Sequence, residues 1–544
     1  MTSTRITPNA DSVPVAIVGG STYGRYQKIS PARTYNMYIS TANNDKDQWL
    51  ISFPGYRKIL EIEPSGDGRA IFNSIKGSFV IFVVNATVYR IDANLSFIQL
   101  IGSLNTTSGE VFIAENLNQQ IVFVDGTDAY IYYYGMSGTT IVQLTLDANL
   151  TPNYVEYHNT YFLFGNGATG PNGSEWYIYS PDPGDDENLT LVTNLAIQTK
   201  SDYALAVKRI PSYGNNVLVL GKSVCEIWTQ IPGTQIYQRN PSINIDYGCV
   251  SVNTIDSGDT FIVWLARNAA EAPVIMYYDG RENKRISTDG IDYTLSQIQH
   301  PEDSTAILYR TDGHLFYQLT FYNDADNQTI VYDFTTGLFF NLSDYALNYH
   351  PARQIVYFNN TQYFCAINNG SIYELSPTLT YIDENPISDP DPDSSLIYPL
   401  QLIRTTPSIR QANSQRFIAN SFVLTLEQGV DTNYNGELGV NYIISQDGDF
   451  IITEDNEFMV TENSATSNNF VGQGDYTPRI DLAISQDGGV TWSNYVPRTL
   501  HPLGYRKNIL YWESMGVAND LCFKLRFWGL SRFVVNNALC DIIS

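Results

Sequence analysis

Cations are scarce in this chain. Its 544 residues include 31 Lys and Arg against 56 Asp and Glu, a formal net charge of −25. So few cations exclude a broad grip on a phosphate backbone, because such binding needs clustered Lys and Arg that displace counterions. Cysteine is rare too. Cys225, Cys249, Cys365, Cys522 and Cys540 are scattered, odd in number and without a C-x-x-C pair. That excludes a disulfide framework and reads as buried thiols in a chain made in a reducing cytoplasm. The five histidines, His158, His300, His314, His350 and His501, never fall at metal-ligand spacing, so no metal is expected. Long apolar runs are missing as well. "SFVIFVVNATVY", from Ser78, is the most apolar stretch and is too short to span a bilayer. The opening "MTSTRITPNADSVPVAIVGG" lacks the basic start and apolar run of a signal peptide. A soluble chain with no membrane span is expected.

Two local patterns imitate ligand sites and fall short of them. "VAIVGGSTYG", from Val15 to Gly24, has G-G-x-x-x-G rather than G-x-G-x-x-G, and no convincing helix follows to face a phosphate. No cofactor is expected. In "YIDENPISDPDPDSS", from Tyr381 to Ser395, Asp389, Asp391 and Asp393 alternate as in a calcium loop. The glycine and the distal glutamate of such a loop are absent, so this stretch reads as an exposed acidic linker.

What the chain has in abundance is aromatic side chains, 13% of it, with 39 tyrosines. Aromatic and β-branched residues fit pleated surfaces, and an all-β fold is expected. Between residues 69 and 386 the strand signals recur. "AIFNSIKGSFVIFVVNATVYRIDANLSFIQLI" holds four short apolar runs separated by turn residues, the signature of a four-stranded meander. Each repetition carries an aromatic-rich third strand, centred on Tyr89, Tyr132, Tyr177, Trp228, Tyr277, Tyr332 and Tyr373. A period of about 40 to 55 residues is that of a propeller blade. The expectation is a seven-bladed (six to eight) β-propeller over 69–386, with 1–68 as an N-terminal arm that closes the ring. An acidic, proline-rich linker follows at 387–399. From 400 to 544 strands resume without the period, as in a C-terminal β-sandwich with a hairpin inserted at about 431–470.

In that last region "AISQDGGVTWSNYV", from Ala483 to Val496, places Ser485, Asp487, Gly489, Thr491 and Trp492 as S-x-D-x-G-x-T-W. The pattern resembles the Asp-box of sialidases and other sugar-processing propellers. Leu482 and Ile484 read as one strand, and Val490 and Trp492 as the returning one. Asp487 is expected to accept backbone N–H groups across a turn that Gly488 and Gly489 make with positive φ, and Trp492 to fold back over it and bury its ring. Each of these residues has a structural task, and none is placed to attack or protonate a substrate.

The C-terminal order is more specific. Arg404 and Pro407, Glu427 and Gly429, Asp487 to Trp492, Trp512 and Gly516, and Phe523 to Arg526 succeed one another along one chain. This order is similar to that of the packaged-DNA stabilisation proteins of short-tailed bacteriophages, which form the tail hub or nozzle. "RTYNMYISTANNDKDQWLISFPGYRKIL", with Pro54 and Gly55, resembles the family's opening, and "RIST" at Arg285 to Thr288 recurs in its propellers. Relatives often carry arginines after the Trp–Gly turn, where this chain has Val517, Ala518, Asn519 and Asp520. The resemblance implies a homo-hexameric ring in the virion tail, below the portal and an adaptor protein. It also implies contacts to a tail needle or plug and to fibres or spikes. Genome DNA would pass through the lumen without sequence-specific binding, and an acidic wall suits that passage. The alternative is a sialidase-like or other glycan-degrading enzyme. That chemistry needs an arginine cluster, a Tyr–Glu pair and a further carboxylic acid. Arginines are sparse in the blades, and the Asp-box lies outside the repeats, so no enzymatic activity is expected.

Overall fold

Repetition of one hairpin-built sheet accounts for most of the chain. The computed structural model describes residues 11–25, 31–41, 48–135, 138–233, 235–270, 272–386, 396–411, 415–429, 478–500, 507–529 and 531–543. Most of the acidic linker and all of the hairpin expected at about 431–470 lie outside the described residues. The chain forms two compact units, one of Leu60–Gly337 with Tyr349–Glu374, the other of Met1–Ile59, Leu338–Asn348 and Leu375–Ser544.

The first unit is a seven-bladed β-propeller. Its first blade is the antiparallel meander Gly68–Ser74, Phe79–Val84, Thr87–Ile91 and Phe97–Gln99. The second to fourth blades repeat it with strands beginning at Phe112, Pro152 and Ala206. In the fifth, two short strands, Gly248–Cys249 and Asp256–Ser257, share the place beside Ile262–Arg267. The sixth contributes Ser304–Thr311, His314–Phe321 and Gln328–Asp333. The seventh consists of Ala352–Phe358, Thr361–Ala366 and Gly370–Ser376, with the end of Gly55–Glu63 alongside. All seven aromatic residues of the repeat fall on third strands. They sit there because each sheet buries both faces against its neighbours. Tyr132 meets Phe79 of the preceding blade at 6.4 Å between ring centroids, and Trp228 meets Trp176 edge-on at 5.7 Å.

The core is therefore a series of interlayers rather than one centre. Phe79, Ile81 and Val83 pack with Ile121, Phe123 and Tyr132 between the first two blades. Arg69, fully buried, fastens the same pair. Its Nε donates to the Gly109 carbonyl (2.6 Å), and Nη1 to those of Asn85 (2.8 Å) and Thr106 (2.7 Å). The ring closes where the first blade meets the seventh. Phe82 and Tyr89 pack with Phe358 and Ile372, and the Ile71 amide donates to Gln354 Oε1 at 3.1 Å.

The second unit holds two larger sheets. One runs Met37–Thr41, Gln48–Ser52, Arg532–Ile543, Phe417–Gly429, Lys507–Ala518, with Asp11–Val15 also paired to Arg532–Ile543. The other contains Leu338–Leu342, Arg33–Tyr35, Leu402–Thr405, Asp520–Trp528, Arg479–Ser485 and Val496–Thr499. Phe422 of the first stacks on Phe523 of the second at 4.2 Å. The stretch read from sequence as an arm, 1–68, is thus divided. Three of its strands pair with C-terminal strands that would otherwise present open edges, and Leu60–Glu63 belongs to the propeller.

Within the second unit Arg404, from the Arg-x-x-Pro stretch, fastens the N-terminal part to the C-terminal part. Its Nε donates to the Ile17 carbonyl (2.8 Å), Nη1 to the Gly20 carbonyl (2.9 Å) and Thr34 Oγ1 (2.8 Å), and Nη2 to the Ala16 carbonyl (3.2 Å). Burial pulls its guanidinium down to about 9, which leaves it cationic at neutral pH. Arg404→Met removes all four donations and strands buried carbonyls, so a loss of roughly 3 kcal/mol is expected. Thermal unfolding checks this, and a melting temperature equal to that of the wild type contradicts it. Arg404→Lys is expected to recover only part of the loss, because one ammonium cannot reach four acceptors in that fork.

Candidate functional site

Among the described residues, polar side chains gather at the propeller axis and at the Asp-box turn, among other places. The first strands of the blades surround an axial cavity of about 600 Å³. Carboxylates and a lysine from different blades meet there. Glu110 of the second blade accepts from Gln354 Nε2 of the seventh (2.7 Å) and Thr305 Oγ1 of the sixth (3.1 Å). Burial pushes its carboxyl up to about 7, against the pull of the nearby Arg353 cation. Lys208 of the fourth blade pairs with Glu156 of the third at 3.0 Å. Burial opposes the lysine's charge, but Glu156, Tyr154 and Asp256 outweigh it and its pKa rises. Asp256 of the fifth blade accepts the Leu308 amide of the sixth at 2.7 Å, and burial shifts its carboxyl upward despite Lys208. Arg353 pairs with Asp67 at 2.9 Å.

These contacts span six of the seven blades, and the arrangement acts as a polar axle. Every one of its carboxylates has a donor or a cation assigned to it, so its evident task is to hold first strands in register. Sequence reading did not single out Glu110, Lys208 or Asp256. The only signal that finds them is their shared position at the first strand of successive repeats.

The structure brings the five Asp-box residues together in one turn. Ser485 Oγ donates to Asp487 Oδ1 (2.7 Å) and accepts from the Gly489 amide (2.8 Å). Asp487 Oδ1 also accepts from the amides of Val490 (3.1 Å) and Thr491 (2.9 Å), while Thr491 Oγ1 donates to Oδ2 (2.7 Å). Gly488 and Gly489 have φ of 75° and 91°. A Cβ on Gly489 would lie 2.9 Å from Pro31 Cβ, so space as well as conformation requires glycine there.

One expectation needs correcting. Val490 and Trp492 are not in the returning strand, which is Val496–Thr499, paired with Arg479–Ser485. Asp487 captures the amides of Val490 and Thr491; the chain touches the first strand again at Ser493, whose amide donates to the Ile484 carbonyl at 2.9 Å, and the paired strand starts at Val496. The Trp492 ring is only half-buried, with Lys524 Nζ 5.9 Å from its centroid. Burial works against Asp487's charge, but the donors from Thr491, Ser485 and Val490 prevail and hold its carboxyl down at about 2. Both of its oxygens are engaged in the turn.

All five cysteines are buried free thiols. Among the described residues, no three His, Cys, Asp or Glu side chains converge as metal ligands. No helix among them is long and apolar enough to cross a membrane.

Residues 17–380 match the family described as Phage_stabilise: Bacteriophage P22 Gp10, beta-propeller. No curated protein matches the chain. Among solved structures, Kuenenia stuttgartiensis hydrazine synthase is similar over 58% of this chain and 97% of its own, at 8% identity and a TM-score of 0.39. The computationally designed Ika8 protein is similar over 59% and 99%, at 12% identity and 0.36. YCF48 bound to D1 peptide is similar over 60% and 97%, at 12% identity and 0.37.

Both carboxylates give measurable expectations. Glu110 titrates at about 4.5 when unfolded and about 7 when folded, so its stabilising effect is full below pH 4.5 and lost as pH rises through 7. Thermal stability is expected to fall between pH 5 and pH 8 by on the order of 2 kcal/mol from this group, and Glu110→Gln to flatten that slope. An unchanged slope in the variant removes Glu110 as its source. Asp487 has the opposite sign: its contribution is present above about pH 4 and disappears as pH falls through 2. Asp487→Asn is expected to cost about 1 kcal/mol at pH 7, the scale of one lost turn hydrogen bond, and to match the wild type near pH 2. Equal melting of the two proteins at pH 7 contradicts the turn's structural role.

Proposed function

Because the chain belongs to the Phage_stabilise family, the β-propeller family of bacteriophage P22 Gp10, we propose that this phage structural protein is a subunit of the virion's tail hub. In this reading six copies form a ring below the portal and adaptor, retain the packaged genome, leave a path for its ejection, and anchor a needle or plug with fibres or spikes. The observation that carries the reading is the family match over 17–380, which covers the whole of the seven-bladed propeller.

Two physical features support it. The axis of one propeller is crossed by the Glu110 and Lys208 contacts, so a duplex cannot pass through a single subunit, and a path for DNA belongs between subunits. A net charge of −25 suits the wall of that path, because phosphates slide past carboxylates without being held. The second unit, with Phe422 stacked on Phe523 between its two sheets, is read as a β-sandwich. The protein is read as non-enzymatic. In the motif that suggests a sialidase, both oxygens of Asp487 accept hydrogen bonds within the turn, from Ser485, Val490 and Thr491.

Particles assembled without this chain are expected to package DNA and then lose it, measured as genome content per purified head. Retention of the full genome overturns the reading. Purified protein is expected to bind duplex DNA negligibly at physiological salt. Tight binding that added salt steeply weakens contradicts the passive wall.

A further inference from the structure

The propeller exposes apolar side chains unevenly. Of the four most exposed large hydrophobic residues described, three lie at first-hairpin ends of consecutive blades: Tyr357 (61%), Ile75 (83%) and Leu117 (69%) of blades seven, one and two. They are neighbours in space. Asn73 Nδ2 donates to the Tyr357 carbonyl at 2.8 Å, and Lys76 Nζ donates to the Leu117 carbonyl. Beyond Leu117 the arc runs into a groove of about 520 Å³ between blades two and three, whose lining includes Tyr157, Tyr161, Pro181, Asp182 and Asp186. Gln120 Nε2 fixes the groove's outer wall by donating to the Asp186 carbonyl at 2.7 Å. The corresponding turns of blades five and six carry Asp259 and Asp312 instead, so the apolar arc is confined to one side of the face.

A contiguous apolar arc that opens into an aromatic and proline-lined groove is what an extended protein segment fills with alternating side chains. The groove's rim is acidic, with Asp185 and Glu187 exposed beside Asp186. From this complementarity we infer that the face docks an extended segment of another protein, one with aliphatic anchors and interspersed Lys or Arg. A second copy of this chain fits less well, since it brings a net charge of −25 to an acidic rim. The inference rests on the propeller face alone, so it stands or falls separately from the tail-hub reading.

The test uses the full chain and three fluorescent 15-residue peptides, of alternating Leu and Lys, Leu and Glu, or Ser and Lys, followed by anisotropy at physiological salt. The Leu/Lys peptide is expected to bind at least tenfold more tightly than the others. Leu117→Asp is expected to weaken it at least tenfold without changing the melting temperature. Because that change adds negative charge, a loss of cationic peptide cannot come from bulk electrostatics. Asp182→Asn with Asp186→Asn is expected to weaken binding several-fold and flatten its salt dependence. Equal binding of the Ser/Lys peptide, or full binding by Leu117→Asp, overturns the proposal. So does self-association of the wild type that Leu117→Asp abolishes, which would assign the face to a second copy. Binding of a neutral oligosaccharide that is lost in the same variant would assign it to glycan and overturns the proposal as well.

Discussion

A ring of sheets is stable only if its last member covers the exposed face of its first. Here that closure depends on contacts between residues almost three hundred positions apart. The Ile71 amide reaches Gln354, and Phe82 and Tyr89 lie against Phe358 and Ile372. The close approach of Gly370 to the Glu63 carbonyl, where a Cβ would sit 2.4 Å away, brings an early strand beside the latest one. Without closure, the first blade's Val80 and Phe82 and the seventh blade's Phe358 would face water, and the outer row of the seventh blade would be an open edge.

Closure also explains the charged axis. Seven first strands converge, and their side chains alternate between the interlayers on either side: Val111 and Ile113 pack towards the first blade, Phe112 and Ala114 towards the third. The central positions surround the cavity of about 600 Å³ and carry Glu110, Glu156, Lys208 and Asp256, of which Glu110 is buried. Paired across blades, these groups act as struts that a greasy axis would lack, because a hydrogen bond fixes register and an apolar contact does not. Burial is costly for Glu110, whose carboxyl rises to about 7. Specific register is gained there at some expense of stability above neutral pH.

The motifs that suggest a family owe their form to the same demands. Arg404 is the donor that satisfies the carbonyls of Ala16, Ile17 and Gly20 in a loop with no ladder of its own. Asp487 and Ser485 build a turn from which the chain leaves the sheet, so the Asp-box serves here as a structural device. Two surface properties remain beside these internal devices: a net charge of −25, and a propeller face whose most exposed apolar side chains lie on one side.

How much of this was legible in the residues depends on the distance between the partners. The third-strand aromatics from Tyr89 to Tyr373 announced seven sheets, because each sheet is made from residues close in sequence and its alternation is local. The expectation of no broad phosphate grip likewise rests on composition, since net charge needs no geometry. The turn chemistry of Asp487, Gly488 and Gly489 was also local and readable. Where Val490 and Trp492 would go was not, because the ladder and the carboxylate compete for the same amides and only the folded turn decides between them. The pairing of Asp11 with Ile542, or of Arg33 with Thr405, left no periodic trace. Nor did the meeting of Glu110, Lys208 and Asp256, which stand in three different blades. Such contacts arise only once the ring has closed and the remaining edges need cover, so the tertiary structure alone decided them.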